Sequence, residues 1–186
     1  MDQQGSNFHY VCTLDEARQM VAERDRFWMS NCECREERGP CKRSGIFLCL
    51  QFDETKVVLG SGRREVTREE VIEALEEAGK THLVPRPFRD YDDEENTYGI
   101  CFCCDCCCDY FATENPSPCD RGLYIEQTDE ELCNHCGTCE EFCYFGARVF
   151  DGEFLEVHPD ECYGCGVCVD VCPEGAVEMV LREIIV

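Results

Sequence analysis

The sequence predicts an α+β protein in two parts, on three observations. A cysteine-spaced segment occurs twice near the C-terminus, capped amphipathic stretches and short β-prone runs precede it, and 20 of 186 residues are cysteine. At roughly 11% cysteine, metal or thiol chemistry sets the fold more than core size does. The composition divides the chain into a small cysteine-rich α/β module at 1–121, predicted to bind metal, and the doubled segment at 122–186. Forty acids against 17 bases leave a formal charge of −23, which repels phosphate backbones and argues against nucleic acid. No run approaches 18 apolar residues, so no membrane span is expected. The first 20 residues carry neither the basic stretch nor the apolar segment of a signal peptide, and no twin-arginine stretch lies near. A cytoplasmic location is therefore expected, where thiols stay reduced. A disulfide framework is then disfavoured and metal binding is what remains for the cysteines.

The elements follow in order. Thr13 and Glu16 form a capping box ahead of Leu14, Ala17, Val21 and Trp28, a helical stripe ending before Asn31. Ile46 to Phe52 and Lys56 to Leu59 read as two strands around an Asp-Glu-Thr turn. A second box, Thr67 with Glu70, opens a helix with Val71, Ala74, Leu75 and Ala78 on one face and Gly79 as its stop. Pro85 to Thr97, charged and holding two prolines, reads as a loop. Arg63-Arg64 and the arginines at 86 and 89 have acids beside them and read as a solvated face. Gly60-Ser-Gly62 is a turn without the lysine of a phosphate loop. Farther on, Arg148 to Phe150 and Phe154 to Val157 form a hairpin around Asp151-Gly152. Leu123 to Ile125 and Val177 to Val186 are β-prone runs able to pair.

The repeat carries the strongest chemistry. Cys133-x2-Cys136-x2-Cys139-x3-Cys143 recurs 29 residues later as Cys162-x2-Cys165-x2-Cys168-x3-Cys172, followed by Pro173. Three cysteines at i, i+3 and i+6 let one loop wrap three corners of a cubane, and the fourth reaches a different one. Paired zinc knuckles would supply four sulfurs per ion without a third cysteine at this spacing. Residues 122–186 resemble the bacterial two-cluster ferredoxins along their whole length. That resemblance implies one [4Fe–4S] cluster on Cys133, Cys136, Cys139 and Cys172 and a second on Cys162, Cys165, Cys168 and Cys143. Glycines 137, 164 and 166 suit a loop that turns its N–H groups toward sulfur. The first copy departs from the pattern, with Tyr144-Phe145 where a proline is usual, which bears on the local turn and on solvent access. His135, beside two ligands, reads as a solvated loop side chain, with a tuning or proton-coupled role as the alternative.

Twelve cysteines precede this domain, six of them in Cys101 to Cys108. Cys101, Cys104 and Cys107 repeat the wrap, with Cys32 or Cys34 as the remote fourth ligand of an iron–sulfur cluster. Cys103, Cys106, Cys108 and Cys41 are candidates for a further or larger one. Zinc held by a C-x-C and a C-x-x-C is the alternative. Cys49, alternating with Phe47, reads as a packed thiol. The stretch 30–110 is similar to the N-terminal module of a group of anaerobe iron–sulfur proteins, on Cys32-Glu-Cys34-Arg35 and Ile100-Cys101-Phe-Cys103-Cys104-Asp-Cys106-Cys107-Cys108. The resemblance implies metal binding and names no reaction.

Function follows from these parts. Paired cubanes without a nucleotide fingerprint predict an electron-transfer protein, or the electron-transfer subunit of an oxidoreductase complex, more than an enzyme. Low-potential electrons would pass through the two C-terminal clusters, and through one or two N-terminal ones, to a redox enzyme. Residues 122–186 hold 15 acids and 2 bases, so a partner with a basic docking face is expected. The alternatives are a small reductase with an unusual N-terminal cluster, and a redox sensor.

Overall fold

The computed structural model describes residues 8–55, 59–90, 93–114, 116 and 118–182. In the first part the strands are β1 (His9–Tyr10), β2 (Phe27–Ser30), β3 (Cys49–Gln51), β4 (Arg64–Val66), β5 (Val84–Asp90), β6 (Asp93–Cys103) and β7 (Cys119–Asp120). The helices are α1 (Leu14–Ala22), α2 (Glu33–Arg38), α3 (Arg68–Lys80) and α4 (Asp109–Ala112). One sheet joins the strands in the order β4-β2-β3-β6-β5-β1-β7, antiparallel except where β1 meets β7.

Both predicted capping boxes form, Thr13 with Glu16 and Thr67 with Glu70. The stripe of α1 ends earlier than expected. The helix stops at Ala22, and Trp28 belongs to β2, where Phe-Trp-Met is a β-prone run held between β3 and β4. Nor does Gly79 stop α3. His82, at φ 54°, adopts the left-handed conformation, and the N–H groups of His82 and Leu83 close on the carbonyls of Gly79 and Ala78, a Schellman end. Gly79 lies inside the helix because a Cβ there would stand 3.0 Å from Leu14 Cδ2. It is a packing glycine.

The segment expected as a loop, Pro85 to Thr97, is instead the long hairpin of β5 and β6. The prolines are tolerated because of which way they point. Cys12 N–H donates to Pro85 O at 3.2 Å and Arg89 N–H to Phe8 O at 2.9 Å, so residues 85, 87 and 89 turn their polar groups toward the two-residue strand β1. The donors that proline lacks are not those of the β5–β6 ladder. The expected partner of Ile46–Phe52 included Lys56 to Val58, which lie outside the described residues. Among the described ones, β3 pairs with β2 and β6.

Alternation along these strands gives the sheet two unlike faces. Ile100, Phe102, Leu50, Met29 and Phe27 pack with Ala17 and Val21 of α1 and with Val71, Ala74, Leu75 and Ala78 of α3. The register places Cys49 opposite Cys101 and Cys101 opposite Arg86, so these three share the other face. The apolar face holds the helices, and the thiol face is left for chemistry.

Residues 122–182 carry β8 (Tyr124–Thr128), α5 (Thr138–Glu141), β9 (Arg148–Phe150), β10 (Leu155–Val157), α6 (Val167–Val171) and β11 (Val177–Leu181). The expected hairpin is β9–β10 and the expected pairing of the ends is β8–β11, in register from Val177 opposite Thr128 to Leu181 opposite Tyr124. Residues 183–186 of that run lie outside the described residues. Tyr144 and Phe145 join the two parts. Phe145 stacks on Tyr163 at 4.3 Å and meets Phe111 at 5.0 Å, while Tyr144 OH donates to His82 O at 3.1 Å. The residues in place of the usual proline are therefore interface residues. No helix among the described residues is long and apolar enough to cross a membrane.

Candidate metal centres

Each cysteine loop of the repeat runs into a short helix, α5 or α6, through a glycine in the left-handed region, Gly137 at φ 75° and Gly166 at φ 78°. Gly164 is required more strictly: its φ is +84°, and a Cβ would lie 2.1 Å from Tyr124 O. The loops enclose two small cavities. Cys133, Cys136, Cys139 and Cys172 line one, with Pro173 and Glu174. Cys143, Cys162, Cys165 and Cys168 line the other, with Phe145 and Tyr163. Each grouping of four thus draws three cysteines from one copy and one from the other.

Arg148 lines both cavities and is only 2% exposed. Its Nη1 donates to Cys139 Sγ at 3.3 Å, and its Nη2 donates to the buried carboxylate of Glu126 and to Thr128 Oγ1. Sulfur also receives backbone donors, Ala176 N–H reaching Cys172 Sγ at 3.3 Å. Burial pushes the Cys168 thiol up to about 12 and raises Cys143 and Cys165 as well. Metal uptake here therefore displaces protons. His135, expected in solvent, is half-buried at φ 54°; its Nδ1 accepts from Leu155 N–H at 3.2 Å and its ring meets Phe154.

The thiol face of the large sheet forms one wall of a third cavity, of about 380 Å³. Cys49, Cys101, Cys103 and Arg86 come from the sheet, Cys32, Cys34 and Arg35 from the start of α2, and Cys104, Cys107, Cys108 and Tyr110 from the segment after β6. Two arginines dock α2. Arg35 Nη2 donates to Phe102 O at 3.1 Å, and Arg38 Nη1 donates to Cys107 O at 2.8 Å and to the Asp109 carboxylate. Arg86 is not on the solvated face expected for it. It is 3% exposed, with Nη1 3.3 Å from Cys108 Sγ and 3.8 Å from Cys103 Sγ, and it lies over the Tyr110 ring. A guanidinium buried against thiols is costly unless the sulfurs carry negative charge, as metal-bound thiolates do. The cavity therefore fits a thiolate-ligated cluster.

The expected triad Cys101, Cys104 and Cys107 all line this cavity, with Cys32 and Cys34, but the sulfurs sort differently. Cys104 and Cys107 gather with Cys41 and Cys106, all four sulfurs lying within 4.8 Å of one another. Cys101 stands on β6 beside Cys49. Cys49 is buried as expected and also reaches the cavity, which its alternation with Phe47 did not indicate. Arg35, Arg86 and Arg148 were not foreseen at the centres, because an arginine in an acidic sequence reads as surface.

Comparison with known proteins agrees with this geometry. The family described as a 4Fe-4S dicluster domain matches residues 132–176. The uncharacterized ferredoxin MJ0199 of Methanocaldococcus jannaschii is 41% identical over 54 residues, which cover 27% of this chain and 87% of that protein. The chain belongs to the 4Fe-4S dicluster ferredoxins. The electron transport protein HydN of Escherichia coli is 39% identical over 56 residues, 29% of this chain and 32% of HydN. A component of an ion-translocating oxidoreductase complex of Methanosarcina acetivorans is 38% identical over 60 residues, 32% of this chain and 23% of that component. The chain thus spans about a quarter to a third of the length of these last two relatives. The ferredoxin domain, its [4Fe–4S] clusters and the α+β class stand on these matches together with the fold.

Proposed function

We propose that the chain is an iron–sulfur electron-transfer protein, working as a subunit of a larger oxidoreductase complex, with residues 1–121 as a metal-binding module and 122–186 as the ferredoxin domain. Cys133, Cys136, Cys139 and Cys172 hold one [4Fe–4S] cluster, and Cys143, Cys162, Cys165 and Cys168 hold the other. A third cluster draws its ligands from Cys32, Cys34, Cys101, Cys103 and Cys108, with Cys49 adjoining. Bound there, such clusters supply one-electron chemistry at low potential.

The observation that carries this reading is the arrangement of the three cavities in file. Arg148 is shared by the first and second. Tyr110, which lines the third, packs at 6.0 Å on Phe145 and 6.3 Å on Tyr163, which line the second. The chain's own work is to hold the ligand cysteines together and to place an arginine at each cavity, Arg148 at the first two and Arg86 at the third. The oxidoreductase complex to which the Methanosarcina relative's name refers supports the subunit reading. Acidic residues 122–186 favour a basic docking face on the partner.

Anaerobically purified full chain should contain clearly more than eight irons and accept more than two electrons in a reductive titration. It should show no turnover of its own with a low-potential dye. Eight irons and two electrons would remove the third cluster, and sustained turnover by pure protein would favour the reductase reading. Association with the redox partner should weaken steeply between low and high salt, since exposed charges are screened over about 8 Å at physiological ionic strength. Binding indifferent to salt would rule out electrostatic docking.

A further inference from the structure

We propose that Cys41, Cys104, Cys106 and Cys107 form a second kind of metal site, a closed tetrathiolate holding one divalent thiophilic ion, zinc, rather than contributing to an iron–sulfur cluster. The sulfur separations decide between the two. Cys41 Sγ is 3.6 Å from Cys104 Sγ and 3.7 Å from Cys106 Sγ, and Cys106 Sγ is 3.7 Å from Cys104 Sγ and 3.5 Å from Cys107 Sγ. Four sulfurs bonded to one zinc at about 2.3 Å occupy a tetrahedron whose edge is about 3.8 Å. The four thiolates of a cubane each bond a different iron across an Fe4S4 core and stand farther apart. The observed group is therefore sized for one ion.

The surroundings agree. Arg43 N–H donates to Cys41 Sγ at 3.4 Å, the kind of outer donor that metal-bound thiolates receive. Arg35 is 2% exposed, and its guanidinium faces Cys41, with which it makes a side-chain hydrogen bond, and interacts electrostatically with Cys104 and Cys32. Four thiolates around a divalent ion carry a net charge of −2, which a buried guanidinium shared with Cys32 helps to offset. Four protein sulfurs leave no open position, so the site is structural. Its staple is topological. Residues 39–48, between α2 and β3, contain no helix or strand, and the ion would tie Cys41 of that segment to the turn after β6. Cys41 and Cys106 lie outside the lining of the 380 Å³ cavity, while Cys104 and Cys107 form the wall between the two centres, so the centres adjoin but take different ligands.

The test uses the anaerobically purified full chain with its iron content at maximum. Metal analysis should give one zinc per chain in addition to the iron. X-ray absorption at the zinc edge should show four sulfurs near 2.3 Å and no neighbouring iron. This measurement needs no variant, so a folding defect cannot obscure it. A single non-cluster iron with the optical spectrum of a tetrathiolate would keep the site and change its ion. The double variant Cys41→Ser with Cys106→Ser should lose the zinc and retain the iron. Absence of both zinc and mononuclear iron from the wild type would overturn the proposal. So would loss of about four irons in the double variant. About four cluster irons beyond eight test the third cluster, and a single zinc or mononuclear iron tests this site, so either can fail alone.

Discussion

Replacing Cys172 with Ala should remove about four irons, those wrapped by Cys133, Cys136 and Cys139, and spare the cluster wrapped by Cys162, Cys165 and Cys168. The reason is spatial. Cys172 follows α6 in the second copy, yet it lines the cavity of the first, where its sulfur accepts Ala176 N–H at 3.3 Å. Cys143 makes the reverse exchange. The Cys143→Ala variant should therefore spare the first cluster and lose the second. Electron paramagnetic resonance of the reduced variants, with iron and sulfide quantitation, separates the two losses. Each variant losing the cluster of its own sequence copy would show uncrossed ligation. The effect is large because a cubane deprived of one of four thiolates has no other sulfur within its small cavity to take the place.

The legible parts of this chain are those where a local rule meets no competitor. Both capping boxes were readable because a Thr and a Glu three residues apart satisfy each other's backbone donors whatever lies beyond. The doubled cysteine spacing was readable because ligand geometry is as local as a turn. The β5–β6 hairpin was not. Proline and charge suggested a loop, and only the strand order shows that the missing donors face β1. The cysteine run was legible only in part: Cys101, Cys104, Cys107, Cys32 and Cys34 do line one cavity, but the local geometry along the run differs. Counting i, i+3 and i+6 from Cys101 presumed a wrapping loop, whereas Ile100-Cys101-Phe102-Cys103 is a strand with apolar residues on one face and thiols on the other. That alternation was visible in the sequence and would have separated Cys101 from Cys104 and Cys107. Cys41 was legible as a candidate ligand, but its grouping with Cys104, Cys106 and Cys107 was not, since Cys104 stands 63 positions farther along the chain.

Arg148 should prove the most costly residue to lose outside the ligands. Its guanidinium and the Glu126 carboxylate are a buried pair, with side chains 1% and 5% exposed, set between the two cavities of the ferredoxin domain. Breaking a buried pair by removing one partner costs about 3–5 kcal/mol, because the other charge stays buried alone. Arg148→Met should therefore destabilise the domain by that order, read as a lowered denaturant midpoint of the anaerobic protein. Arg148→Met with Glu126→Met should recover most of the loss, since an apolar pair of similar volume carries no uncompensated charge. The double variant then isolates a second role. Arg148 Nη1 is 3.3 Å from Cys139 Sγ, so it places positive charge beside a site whose reduction adds negative charge. Both clusters should remain in the double variant, and the cluster of Cys133, Cys136, Cys139 and Cys172 should become harder to reduce. A shift of about 60 mV would correspond to tenfold in the one-electron equilibrium. Stability restored with unchanged potentials would make Arg148 a packing residue alone. A negative shift with restored stability would show that the arginine sets the potential as well as holding the fold.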